Sequence, residues 1–241
     1  MALYRKELEV RLPDYLRPDP FIIKSMLIIA LPLALEQFFF NSGKAFGQRY
    51  IAGYGTAHMA ANGVVNAVFD MFNLPQITLR EALVTIVGMC IGCKRYDLAK
   101  RYVYRFMRVI RRLLFWLMPV TVPVAAILIY SFRLSPEANR LTVMCLVLIY
   151  AAGPPLLAGS LTIPAGLRAG GDAAFVSITA LCSMWCVRVT LCYLLAGVFG
   201  LGVLGINIAM VMDWIARNVM FRTRLKGEAW YRRRLIAEDP A

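Results

Sequence analysis

Acidic residues and histidine are scarce in this 241-residue chain: 14 Asp and Glu stand against 27 Lys and Arg, and His58 is the one histidine. A single imidazole excludes a histidine-built metal centre. Inspection finds no nucleophile–base pair, no phosphate-binding glycine loop and no ligand cluster, so the chain is not read as an enzyme, and no cofactor or metal is expected. Cysteine is sparse as well. Cys90-Ile-Gly-Cys93 has a redox or zinc spacing, but no second pair follows it among the six cysteines. Continuous apolar runs such as Leu141–Ala152 do not alternate as barrel strands do, which favours a helical bundle over a membrane β-barrel. A cleavable signal peptide is not evident either, because the first apolar segment is longer than the roughly 7–15 residues of such a leader.

Apolar residues are what the chain has in plenty. They make up 60% of it and give a mean hydropathy of +0.62, well above the roughly 45–50% of a soluble domain. A helix crossing a bilayer needs about 20 mostly apolar residues. The sequence predicts six such spans, at Phe21–Tyr50, Met59–Val87, Leu113–Tyr130, Leu141–Ile163, Phe175–Phe199 and Gly202–Phe221. The expected fold is therefore an all-α integral membrane protein with six transmembrane helices. Residues 1–20 read as a linker-like segment, 21–222 as the transmembrane lobe and 223–241 as a basic tail.

The formal net charge of +13 would suit a nucleic-acid binder, but the cations lie between and beside the spans. Lys94, Arg95, Lys100, Arg101, Arg105, Arg108, Arg111 and Arg112 form the largest group. Arg168 and the run Arg222 to Arg234 fall on the same side, and the opposite loops carry mainly Arg49, Arg133 and Arg140. The positive-inside rule then predicts a multi-pass protein of the cell membrane with both termini cytoplasmic, and membrane lipid rather than nucleic acid as partner. Lys94–Arg112 reads as an amphipathic helix on the inner surface that runs into the third span, with its arginines meeting lipid phosphate. Pro32, Pro75, Pro154-Pro155 and Pro164 predict bent or broken helices. Gly-x-x-x-Gly at Gly43/Gly47, Gly88/Gly92 and Gly166/Gly170 predicts close helix approach.

Polar residues sit inside the spans at helical spacing. Asn62, Asn66, Asp70 and Asn73 fall within roughly 80° of one another on the second span. Gln37, Asn41, Lys44 and Gln48 share a face of the first, with Glu36 at its edge. Ionisable groups at bilayer depth are costly and usually face a cavity or a partner. Glu36 and Asp70 are the candidates for binding a coupling cation or proton, and Gln37, Asn41, Lys44, Asn62, Asn66 and Asn73 are candidate cavity-lining residues. Hydrogen bonding between helices and neutralisation of Glu36 by Lys44 are the competing structural explanations. On the last two spans, Arg188, Asp213 and Arg217 are expected to form structural ion pairs, Asp213–Arg217 along one helix and Arg188–Asp213 across two.

An ordered series of motifs resembles the multidrug and toxic compound extrusion family. Leu31-Pro32 followed by Glu36-Gln37 and Asn41-Ser42-Gly43 looks like the family's seventh helix. Met59-Ala60-Ala61-Asn62-Gly63, Leu74-Pro75, Val87-Gly88 and Ile91-Gly92 look like its eighth. Ile163-Pro164 with Leu167 to Asp172 resembles the tenth helix and the loop after it. Met184-Trp185, Arg188, Gly200 to Gly205 and Ala209-Met210-x-x-Asp213-Trp214-x-x-Arg217 are similar to the last two. The resemblance covers only the C-terminal lobe. The stretch Ala151 to Leu156, where some members carry a carboxylate, has none here.

What the resemblance implies is a proton- or sodium-coupled antiporter exporting drugs or other organic cations, present as one lobe. A homodimer or a separately encoded N-terminal half would supply the other. Two further readings stand beside it: a lipid-linked saccharide flippase of the same superfamily, and a non-transporting membrane subunit or remnant of a split transporter gene.

Overall fold

A computed structural model describes the backbone of residues 20–232 and the side chains of residues 34–231. The described residues are mostly helical, with no strand among them. In chain order they form α1 (Pro20–Gly53), α2 (Thr56–Gly92), α3 (Tyr96–Ser131), α4 (Pro136–Ala152), α5 (Ala158–Ala169), α6 (Ala173–Cys182), α7 (Thr190–Cys192), α8 (Gly202–Lys226) and α9 (Ala229–Arg232). Wide π-helical turns join them at Gly153–Leu157, Ser183–Val189 and Tyr193–Val198. Five stretches are long and apolar enough to cross a membrane: α2, α3, Pro136–Ala169, Ala173–Val198 and α8. The sixth expected span, Phe21–Tyr50, falls on α1, whose side chains before residue 34 lie outside the described residues, as do residues 1–19 of the expected 1–20 linker. The backbone of α1 runs through Pro32 without a break.

The chain divides into two units, Met1–Asn41 and Ser42–Ala241, with the boundary inside α1. In the first unit Phe38 and Phe39 meet edge to face at 5.7 Å. The second unit holds three apolar clusters in succession along the helices. Ile51, Val64, Val65, Cys145, Ile149 and Val203 belong to the one nearest the α1–α2 turn. Phe72, Ile110, Leu114, Leu157 and Trp214 form the middle one. Leu83, Val103, Ile163, Leu167, Phe221 and Trp230 form the third, beside the α2–α3 turn. The α2–α3 turn and the helix ends beside this third cluster carry most of the cations, so we call it the basic end.

Helices α2 and α3 have 37 and 36 residues, each about 55 Å at 1.5 Å per residue. A bilayer core is only about 30 Å thick, so this hairpin extends well beyond it at the basic end. The predicted surface helix is part of that extension. Tyr96–Ser131 is one continuous helix, and Val103 and Ile110 are fully buried, with Tyr102, Tyr104 and Phe106 packed against the third cluster. Val109, on the same stretch, is 47% exposed, so protein covers one side of this helix and leaves another side open. A Cβ added at Gly166 of α5 would meet Val103 Cγ2 at 2.6 Å, which shows how closely these helices approach. Gly43 lies as close to Met184, whereas Gly88 and Gly92 have open space beside them. The helical structure also continues past the expected start of the tail: α8 runs to Lys226, and α9 buries Trp230 completely.

Two prolines in sequence explain the turn at Gly153–Leu157. Pro154 and Pro155 have no N–H to donate and cannot continue the α-helical ladder. The chain responds with a π-helical turn rather than a break. Side chains from both flanking helices support it. Gln76 Nε2 donates to the Leu157 carbonyl at 3.1 Å, and Asn218 Nδ2 donates to the Leu156 carbonyl at 3.1 Å. Ser160 Oγ donates to the Leu157 carbonyl as well, at 3.3 Å.

Candidate functional site

The polar face of α2 is the first component. Asn62 is buried and donates from Nδ2 to Gln48 Oε1 of α1 at 3.3 Å, so this member of the stripe ties two helices together. Asn66 and Asp70, one and two turns further on, are exposed, and Asn73 is half-buried. Around them the helix is apolar and packed: Val65, Val68 and Phe72 are at most 1% exposed. The spacing read from sequence thus separates two faces, one in the core and one presenting an amide and a carboxylate to open space.

On α1, Lys44 and Gln48 are exposed, and Lys44 lies within electrostatic range of Arg188, Asp70 and Arg217. Gln37 and Asn41 are exposed and Glu36 is half-buried, all three in the first unit.

Buried charge is concentrated on α8. Asp213 is 1% exposed and Arg217 7%. Arg217 Nε donates to Asp213 Oδ1 at 2.9 Å, and Nη2 completes the ion pair 2.9 Å from Oδ2. Ser183, in the wide turn after α6, donates its hydroxyl to the same Oδ1. Arg188 feels the charge of Asp213 across the helices and that of Arg217. Buried ions of this kind persist only when paired and hydrogen-bonded. Trp214 stacks on Phe69 at 5.7 Å and is 5% exposed, inside the bundle rather than at an interface. A belt of charged side chains, Lys44, Asp70, Arg188, Asp213 and Arg217, therefore crosses the second unit near mid-helix.

Sequence reasoning gave no partner to three polar residues. Gln76 and Asn218 were hidden as isolated amides in apolar runs. Asp172, fully buried at the start of α6, accepts from Arg224 Nε at 2.6 Å, while the Arg224 guanidinium sits 4.5 Å from the centre of the Phe175 ring. No group of three or more His, Cys, Asp and Glu able to hold a metal ion occurs among the described residues, and all six cysteines are free.

A bundle of membrane-length helices with a charged belt and an open polar face defines a multi-pass membrane protein with a polar interior. The MatE family model matches residues 32–194, and the chain belongs to that family, the multidrug and toxic compound extrusion proteins. Two relatives come from Bacillus subtilis (strain 168). The chain is 25% identical over 219 residues to "Uncharacterized transporter YisQ", covering 86% of this chain and 46% of that protein. It is 24% identical over 199 residues to "Probable multidrug resistance protein YoeA", covering 80% of this chain and 41% of that one. The chain thus spans less than half the length of these relatives. No solved structure matches it significantly.

Proposed function

We propose that the chain is one lobe of a cation-coupled antiporter that exports drugs or other organic cations. The observation that carries this reading is the exposure of Asn66 and Asp70 midway along a membrane-length helix. A carboxylate facing lipid there would cost about 2.5–3.5 kcal/mol on insertion scales, so it is expected to face water or a ligand. The name of YoeA, a probable multidrug resistance protein, supports the drug-export reading. In it, Glu36 or Asp70 binds an incoming proton or sodium ion, and Gln37, Asn41, Lys44, Asn62, Asn66 and Asn73 line the cavity. Cation binding favours the state that releases drug, and linkage requires the two affinities to change reciprocally. A second lobe, from another copy or a separately encoded N-terminal half, completes the cavity, and the lobes rock about it. The basic end faces the cytoplasm by the positive-inside rule.

One observation favours a second reading. Lys44, Arg188 and Arg217 interact electrostatically within the bundle, and a flippase for lipid-linked saccharides would use such cations to hold a diphosphate.

The experiment is efflux from cells lacking their own pumps, with this chain expressed alone and then with a candidate N-terminal lobe. Retention of ethidium or norfloxacin is followed, with an uncoupler and sodium removal as controls. Efflux by the chain alone means that a homo-oligomer suffices, and efflux only with the partner means a split transporter. No efflux in either case, with the protein shown to be in the membrane, overturns the reading in favour of a flippase or a non-transporting subunit.

A further inference from the structure

Beside the middle apolar cluster, the second unit carries a concave site that the transport reading does not use. A cavity of about 260 Å³ is lined by Arg111, Arg112, Phe115, Trp116, Pro154 and Pro155. It lies between α3 and the wide turn Gly153–Leu157, on the outer side of the second unit.

Its position along α3 sets its chemistry. The apolar part of α3, Leu113–Tyr130, is about 27 Å long at 1.5 Å per residue, close to the hydrocarbon thickness of a bilayer. Arg111 and Arg112 fall immediately before it, at headgroup depth, and Phe115 and Trp116 lie about one turn inside. Phe115 is 61% and Trp116 74% exposed, and Val120, Val122 and Ile127 continue the same exposed apolar surface. A strip of that composition on a membrane helix faces acyl chains. The cavity thus has a doubly cationic mouth and an apolar floor.

Among the described residues the two arginines have no acid to answer them, and neither is in an ion pair or hydrogen bond. Glu81, on the neighbouring stretch of α2, is already 3.3 Å from Arg80, and the only acid on α3 is Asp97, at its first turn. The prolines bring no N–H to the wall they form, so every hydrogen-bond donor on the lining side chains other than the indole belongs to a guanidinium. Guanidinium forks match phosphate oxygens two at a time. Arg101, Arg105 and Arg108, all exposed on the same helix, add a positive field that would draw an anion toward the mouth. A free phosphate would leave the Phe115, Trp116 and proline surface unused. A ligand with a phosphate at one end and a chain at the other uses all of it.

We propose that Arg111 and Arg112, with Phe115, Trp116 and the Pro154-Pro155 wall, bind the headgroup phosphate and upper acyl chain of an anionic phospholipid. Because α3 forms one wall and the wide turn the other, the bound lipid joins the long hairpin to the place where the fourth span changes helical pitch.

The test uses the full chain in nanodiscs with equal parts phosphatidylglycerol and phosphatidylcholine, released into a mass spectrometer with its bound lipid. The wild type is expected to retain one phosphatidylglycerol with roughly tenfold or greater preference. Arg111→Gln/Arg112→Gln is expected to lose that preference. Arg101→Gln/Arg105→Gln, which removes the same charge outside the cavity, is expected to keep it within twofold. Equal loss in both double variants would mean diffuse attraction and overturn the proposal. So would equal retention of the two lipids by the wild type, or displacement of the lipid by millimolar inorganic phosphate. A second measurement needs no arginine variant. Brominated phosphatidylglycerol should quench Trp116 more than brominated phosphatidylcholine at the same mole fraction, with Trp116→Phe identifying the signal. Equal quenching by the two lipids, as when a protein partner rather than lipid covers the cavity, also rejects the site.

Discussion

Gln76 Nε2 reaches the carbonyl of Leu157, 81 positions further along the chain, at 3.1 Å, and both residues are at most 1% exposed. Their hydrogen bond fastens the one turn of the fourth span that cannot form an α-helical ladder. Gln76→Leu is expected to destabilise the bundle by about 1–3 kcal/mol, the cost of leaving a buried polar group poorly satisfied. Asn218→Leu should act in the same direction on the other side of the turn. The two effects should be non-additive, since both act on one structural element. Unfolding in mixed detergent–SDS micelles, followed by circular dichroism, measures all three variants.

The Asp213–Arg217 pair gives a sharper contrast. Removing the acid alone, as in Asp213→Ala, leaves a guanidinium buried beside Arg188 and is expected to cost about 3–5 kcal/mol. Replacing both partners by leucine should recover more than half of that loss, because the desolvation cost of both ions disappears with them. The same unfolding titration reads the recovery, and a double variant no better than the single one would show that the charges stabilise more than their desolvation costs.

Two carboxylates are assigned to coupling. Glu36→Gln and Asp70→Asn are each expected to abolish ion-coupled efflux while the protein still inserts. Efflux assays report the first effect and membrane fractionation the second. Unchanged efflux in both variants would remove the coupling role from these residues.

Glycines at matching spacing should behave differently. Gly166→Ala places a methyl 2.6 Å from Val103 Cγ2 and is expected to destabilise by about 1–3 kcal/mol through overpacking. Gly88→Ala meets nothing within 4 Å, and should be neutral or stabilising by up to about 1 kcal/mol, as glycine in a helix interior is costly. Thermal unfolding of the two variants in one detergent separates them.

These contrasts mark where the sequence was readable. Hydropathy located five of the six expected spans because the bilayer imposes one length on every crossing helix, and runs such as Leu141–Ala152 have no soluble alternative. The polar face of α2 was legible too, since Asn62 to Asn73 recur at helical period. Periodicity could not say that Asn62 holds Gln48 while Asn66 and Asp70 stay open, since that depends on a neighbouring helix. That Val103 and Ile110 pack inside the bundle was not legible either, for a similar reason. An apolar face looks alike whether lipid or α5 covers it, and only the third dimension supplies α5. Gln76 and Asn218 left no pattern at all, because each answers a carbonyl on a distant segment.

The wide turns also set a limit on any helical projection drawn for this family member. A π-helical turn holds one residue more than the ladder around it, and that extra residue turns everything after it by about 100°. Side chains before Gly153 and after Leu157 that fall on one line in a regular wheel therefore point in different directions, and Ser183–Val189 and Tyr193–Val198 shift the next span in the same way. A substitution scan would find its sensitive positions changing phase at those turns, so that a single insertion or deletion inside one could be absorbed there while the same change in α2 or α8 would rotate the polar face out of place.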